Sequence, residues 1–451
     1  MMKKKILAVL MTSIMAFGLL AGCGGNTQDS KSEGSNSSSE DAEGEKITLT
    51  VWDTFTEDAM HNASEEINNM FMEKYPNITI ERVSKDYASI NEALKTAFMA
   101  DDAPDVMYNE MGIGDAGSFL KAGYLMNLSD AYEEYGWNDT VMSVSKEVPS
   151  VGDYVYGVGS EIETMSLYYN KKVFDELGLE APQTIEELTA DFQILKEAGY
   201  TPLANTLDSE WSNNMNFLGT ILYAYMTKDE IEACMNDDAS WNIDSVKKAA
   251  ATVQEWLEKG YFPEHPEVDG EQRDFFLQNE GICWVTGNWS IAYVEENASD
   301  NMELAIIPFP GSESCADGGS QVNFVGSGYL VNANTEYEQA ALDYVDFCVN
   351  NSDSAKVWSE VGVIIPPYTG SYEAEISENL QNVKGFLSDE NIQNIAGINM
   401  WLGTNSFEFF SDAGQRMAIG ELDAESFVEG AETVREKDIE EGNTRATFKL
   451  E

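Results

Sequence analysis

The pairs Trp52-Asp53, Glu210-Trp211 and Asn288-Trp289 each set an indole beside a short polar side chain. An indole face takes the apolar side of a hydroxyl-bearing ring, while a neighbouring carboxylate or amide bonds the hydroxyls at its edge. That is binding chemistry, and pyranose rings suit it. Asn109 and Glu110 follow the apolar run Pro104 to Tyr108, Glu161 and Glu163 follow Tyr154 to Val158, and Trp401 lies in an Asn- and Gly-containing stretch. Trp241, Trp256 and Trp358 fall in helical pattern and read as packing.

Covalent chemistry has little to draw on. His61 and His265 are the two histidines, so His-based triads and multi-histidine metal sites are excluded as a class. No GxSxG elbow, HExxH helix, Walker loop or EF-hand spacing occurs. Glu161 with Glu163 has the form of a glycosidase acid pair. Among 80 acidic residues, however, such proximity arises freely. Gly112-Ile-Gly114-Asp-Ala-Gly117 matches GxGxxG, but it follows the third strand and is flanked by Glu110 and Asp115, where a pyrophosphate needs positive surroundings. It reads as a loop entering a helix, and no cofactor or metal is expected. Cys234, Cys283, Cys315 and Cys348 are too widely spaced for a zinc knuckle or CxxC motif. Their apolar neighbours favour buried free thiols, with disulfides as the alternative.

Asp and Glu total 80 against 26 Lys and Arg, a formal charge of −54, so nucleic acid is excluded as a partner. At 451 residues the chain exceeds one ordinary domain, which predicts two lobes. Ile47, Leu49 and Val51 alternate with polar residues as a strand, and Glu57 to Tyr75 carries a helical stripe. Ile78 to Val83 is the next strand, Ala88 to Met99 a helix and Pro104 to Tyr108 a third strand, which together predict parallel β-α-β units. Further strands are predicted at Ser166 to Tyr169, Gly281 to Val285, Leu304 to Ile307 and Tyr329 to Val331, with helices between and after them.

Lys3, Lys4 and Lys5 precede a short apolar stretch from Ile6 to Leu20 that ends at Leu20-Ala21-Gly22-Cys23. This resembles the bacterial lipobox, which implies a signal peptide over 1–22 and a diacylglyceryl thioether on Cys23. Residues 24–45 are rich in Ser, Gly and acids, so 23–45 reads as a lipidated cysteine and its tether.

The body resembles the extracellular solute-binding proteins of family 1, the lipoprotein receptors of carbohydrate ABC importers. Ala103-Pro104-Asp105-Val106, Gly123-Tyr124-Leu125, Tyr156-Gly157-Val158, Leu167-Tyr168-Tyr169-Asn170-Lys171 and Ala181-Pro182-Gln183-Thr184 carry the likeness. So do Asn279-Glu280-Gly281, Gly287-Asn288-Trp289, Gly326 to Asn332 and Gly420 to Glu425, all in family order. Gly159 stands where the family usually has proline, and Ile185 where it usually has tryptophan.

The resemblance implies an α/β, two-lobe fold of the second periplasmic-binding-protein type with a helix-rich C-terminal lobe. Crossings are expected near 157, 306 and 362, so that 46–156 and 307–361 form the N-terminal lobe and 157–306 and 362–451 the C-terminal lobe. It also implies carbohydrate, an oligosaccharide above all, bound in an interlobe cleft and delivered to ABC permease subunits without covalent chemistry. The protein would be a monomer anchored through Cys23 to the outer face of a bacterial cytoplasmic membrane, its body extracellular. The ligand-binding candidates are Trp52, Asp53, Asn109, Glu110, Glu161, Glu163, Trp211, Asn288, Trp289 and Trp401. A cationic solute (polyamine or basic peptide) and a cell-surface glycosidase are the alternatives.

Overall fold

A computed structural model describes residues 45–449 apart from 57, 209–210, 269–271, 316–319, 388 and 390–391. The expected signal peptide, Cys23 and tether lie outside the described residues.

The strands in chain order are β1 (Ile47–Asp53), β2 (Ile78–Ser84), β3 (Val106–Glu110), β4 (Ser150–Val151), β5 (Tyr154–Val155), β6 (Val158–Gly159) and β7 (Ile162–Asn170). After a helical stretch come β8 (Cys283–Gly287), β9 (Leu304–Pro308), β10 (Ser320–Val325), β11 (Ser327–Val331) and β12 (Gln393–Ile395). Two sheets result. The first runs β2-β1-β3-β11-β6, with β1 parallel to both β2 and β3 and β11 antiparallel to β3. The second is built on β7, which pairs β8, β9 and β10, with β12 beyond β10. β4 and β5 form a separate hairpin.

Side-chain alternation assigns the faces of the first sheet. Leu49, Val51, Val106 and Tyr108 point into one core with Phe71, Tyr344 and Trp358. Trp52 and Met107 face the other way, toward a larger core shared with Ile90, Phe119 and the second sheet's Met165 and Leu167.

The chain changes sheets between Gly159 and Ile162, then again between Val325 and Ser327. The second change falls well past the expected 306. Leu304 to Ile307 signals a buried strand, but the register Ser166↔Pro308 through Asn170↔Leu304 seats it beside β7 in the second sheet. Only Gly326 separates β10 from β11, and a Cβ there would strike the Glu163 carboxylate. The third passage lies beside the first, where Ile365 bridges Ile162 and Asn288 Nδ2 donates to the Val363 carbonyl at 2.9 Å.

The Gly112–Gly117 motif opens the helix Ile113–Lys121, and its glycines serve close packing. A Cβ on Gly112 would lie 2.7 Å from the Asn399 carbonyl oxygen, and one on Gly114 equally close to the Phe407 ring. Cys234, Cys283, Cys315 and Cys348 are buried free thiols. Trp241, Trp256 and Trp358 are core residues.

Candidate functional site

Parallel β-α-β order leaves the C-terminal ends of strands facing one crevice, where open α/β sheets receive ligands. A cleft of about 670 Å³ lies there, lined from both sheets. The first sheet contributes Thr54 and Thr56 just beyond β1, Tyr108 and Glu110 at the end of β3, and Ser327 at the start of β11. The second contributes Glu163 and Met165 of β7 and Trp284, Val285 and Thr286 of β8. Glu161 sits in the link between the sheets. Helical residues complete the wall, among them Tyr87, Asn216, Phe217, Arg273 and Tyr293.

Three carboxylates share this space. Tyr108 donates its hydroxyl to Glu161 Oε2 at 2.8 Å, and Ser327 donates to Glu110 Oε1 at 3.1 Å. Glu110 is only 7% exposed, and its Oε2 has no hydrogen-bond partner among the described residues. Burial raises the Glu110 carboxyl well above the ordinary range, and the Asp115 charge adds to this against the Tyr87 and Ser327 bonds. Glu163 is raised likewise by burial, then by the charges of Glu161 and Glu110. Glu161 is raised by burial and partly relieved by Tyr108.

The facing wall is aromatic and amide. Trp284 donates its indole N–H to Gln272 Oε1 at 3.0 Å. Asn205 holds β8 by donating to the Val285 carbonyl and accepting from the Val285 N–H, both at 2.9 Å. Trp289 is half-buried, its ring lying over Gly287 where any Cβ would collide with it. The Gly-Asn-Trp run therefore presents an indole to the cleft because glycine leaves room beneath it. Arg273 lies over the Tyr293 ring at 5.0 Å. No group of three or more His, Cys, Asp or Glu among the described residues is arranged to hold a metal ion.

Of the residues singled out from the sequence, Glu110, Glu161, Glu163 and Trp289 come together in this cleft. Of the others, those with described side chains do not line it. Asp53 is ion-paired with Arg82, with Nε to Oδ2 at 2.5 Å. Trp52 is half-buried under the Lys85 ammonium, 4.3 Å from its ring centroid. Asn109 is buried and donates to Asn91 at 2.6 Å. Asn288 accepts from the Thr164 N–H at 2.8 Å and so fastens β7 to the turn after β8. Trp401 is 4% exposed, stacked on Trp241 and bonded to the Tyr223 hydroxyl, a core residue. Trp211 opens the helix Trp211–Tyr225, but its side chain lies outside the described residues.

Sequence reading missed Tyr87, Tyr108, Asn216, Phe217, Trp284 and Arg273. Tyr108 and Trp284 sit inside apolar strand runs, where nothing local separates a cleft-facing ring from a core ring. Asn213 and Asn216, about one turn apart at the start of one helix, were the available signal.

The model for bacterial extracellular solute-binding proteins matches residues 66–385. The maltodextrin-binding protein MdxE of Bacillus subtilis is 24% identical over 432 residues, covering 92% of this chain and 94% of that one. A maltooligosaccharide ABC transporter solute-binding lipoprotein of Streptococcus pneumoniae is 24% identical over the same shares. Among solved structures, a chitin oligosaccharide binding protein superposes with a TM-score of 0.76 at 18% identity, covering 87% of this chain and 98% of that one. The two-sheet architecture is that of the type II periplasmic binding proteins.

Proposed function

Because the chain belongs to the bacterial extracellular solute-binding proteins, a family of binding proteins rather than enzymes, we propose that it is the receptor of an ABC importer for an oligosaccharide. The observation that carries this is the cleft of about 670 Å³, with indole and phenol rings on its walls and carboxylates, amides and hydroxyls between them. Its volume falls within the usual range for ligand pockets, ~300–1,000 Å³, and exceeds what a monosaccharide fills. Trp289 and Trp284 offer stacking faces, and Asn216 and the cleft carboxylates take the polar groups at the ring edges. Relatives across most of the chain bind maltodextrin and maltooligosaccharide, which supports a sugar as cargo.

We assign the first sheet, with residues 46–160 and 327–361, to one lobe, and the second sheet, with 161–326 and 362–449, to the other. The three passages between them act as the hinge. Sugar touches both lobes only when they close, so binding selects the closed form, the shape offered to the permease. Cys23 anchors a monomer to the outer face of the membrane, and the acidic tether spaces it outward. No covalent step is required of any residue.

A thermal-shift panel tests this reading. A ligand confined to the native state adds ~2.7 kcal/mol at a hundred times its dissociation constant. We expect one class of oligosaccharide to raise Tm without being consumed. Silence across α-glucans, α-galactosides, xylans, mannans and chitin oligomers would overturn it, and release of shorter sugars would replace it with a hydrolase.

A further inference from the structure

The cleft holds Glu110, Glu161 and Glu163 together, while Arg273 is the one Lys or Arg among the described residues that line it. Arg273 is engaged over Tyr293. Buried carboxylates are ordinarily paired with a cation, and the same sheet pairs Asp53 with Arg82. Glu110 instead keeps Oε2 without a partner among the described residues while 7% exposed, and it lines the open cavity. Gly326 passes so close to Glu163 that a side chain at position 326 would strike its carboxylate.

We propose that the cleft is specific for an oligosaccharide carrying a protonated amine, whose ammonium is seated among Glu110, Glu161 and Glu163. This rests on the cleft being the solute site. An ammonium has three N–H donors and no acceptor, which matches three carboxylates, one with a free buried oxygen. A hydroxyl brings one donor and leaves the mutual repulsion of the acids unrelieved. Tyr87 and Trp289 line the same space and supply ring faces that attract a cation, while the Tyr108 hydroxyl holds Glu161 in place. The remaining sugar rings lie on Trp284 and Trp289.

The groups that face these acids fix the sign of the pH dependence. Glu110 meets Tyr87 from the helix after β2, Asp115 from the helix after β3, and Glu161. Glu163 meets Glu161 and Glu110, and Glu161 meets Tyr108. Asp115 meets Asn91 and Lys95. An ammonium lowers the affinity of such acids for protons, so binding releases protons and strengthens as pH rises toward the raised values these acids have in the free protein. A neutral sugar held by protonated carboxyls would weaken over that span.

Calorimetric titration of glucosamine oligomers and N-acetylglucosamine oligomers of equal length tests it, the acetyl group removing the charge and adding bulk. Malto-oligosaccharides serve as a second neutral set. The sugar amine, made less basic by its neighbouring oxygens, is mostly protonated below pH ~6. We expect the glucosamine oligomer to bind at least ~10-fold tighter, about 1.4 kcal/mol. That advantage should shrink at high salt and grow from pH ~5 to ~6. Heats in two buffers of different ionisation enthalpy should show proton release. Glu110→Gln and Glu163→Gln, close in shape to the native residues, should each remove most of the advantage and leave Tm equal or higher. Equal or tighter binding of either neutral set would overturn the amine and leave the oligosaccharide reading standing. No binding by any oligosaccharide, charged or neutral, would remove both.

Discussion

Asp53 and Glu110 end neighbouring strands of one sheet, both nearly buried, and the fold treats them in opposite ways. Asp53 accepts two bonds from Arg82, at 2.5 and 3.1 Å, and one from the Phe55 N–H at 3.2 Å. Arg82 in turn reaches Glu65 and the Phe55 carbonyl, so the pair is closed on itself. Glu110 meets only the hydroxyls of Ser327 and Tyr87, and its Oε2 has no partner among the described residues. An acid at a strand end thus stays available to a ligand only where the fold withholds the cation. The arginine that decides the Asp53 case comes from the next strand, where Val51↔Arg82 are paired in register.

The sharpest way to break this contrast is to remove the arginine. Arg82→Met strands a buried carboxylate, and loss of one partner of a buried pair costs ~3–5 kcal/mol. Urea denaturation should show that loss, while ligand affinity per folded molecule stays unchanged. Adding Asp53→Asn should restore a large part. A loss below ~1 kcal/mol would mean that solvent already reaches Asp53.

The cleft side is tested by its indoles. Trp289→Ala should weaken oligosaccharide binding by ~1–2 kcal/mol in calorimetry and leave the denaturation midpoint nearly unchanged. Trp289 is half-buried and rests on Gly287, so its removal opens no deep cavity. An unaltered dissociation constant would take Trp289 out of the site.

Glu110→Gln probes the empty oxygen without ligand. The native carboxyl is held above its free value by burial and Asp115. Its share of stability is therefore complete below ~4.3 and is lost as pH rises through the raised native value. The variant lacks this loss, so it should be more stable than the native protein near neutral pH, by on the order of 1 kcal/mol. The two should converge toward pH ~4. Denaturation midpoints across that range check the sign, and a variant less stable at neutral pH would mean that Glu110 is charged and satisfied there.

Periodicity revealed most strands, because alternation at Ile47, Leu49 and Val51 is a property of neighbouring residues. Which sheet a strand joins is not local. Leu304 to Ile307 reads as a buried strand whichever sheet it joins, and only the pairing of Leu304–Pro308 with β7 places it in the second. β10 was missed because its sequence, SQVNFV, alternates weakly. In the site, Glu110, Glu161, Glu163 and Trp289 were legible from strand ends and motif order. Asp53 and Trp401 failed for one reason, a partner remote in sequence: Arg82 for the first, Trp241 and Tyr223 for the second.

The smallest effect concerns the indole beside Asp53. Trp52 and Asp53 are adjacent, so the pleat sends them to opposite faces of the sheet, and neither side chain lines the cleft. Trp52 packs against the larger core with one edge and meets Lys85 Nζ at 4.3 Å with its face. Such a contact at a half-exposed position is worth ~0.5–1 kcal/mol. Lys85 is held within reach because its N–H donates to the Asp53 carbonyl at 2.9 Å, extending the β1–β2 ladder by one residue. A double-mutant cycle of Trp52→Leu and Lys85→Met should return that coupling energy in stability, with oligosaccharide affinity unmoved in all variants. Affinity that falls with Trp52→Leu alone would bring this indole into the closed cleft, and strand-end position would regain the predictive weight that Asp53 denies it.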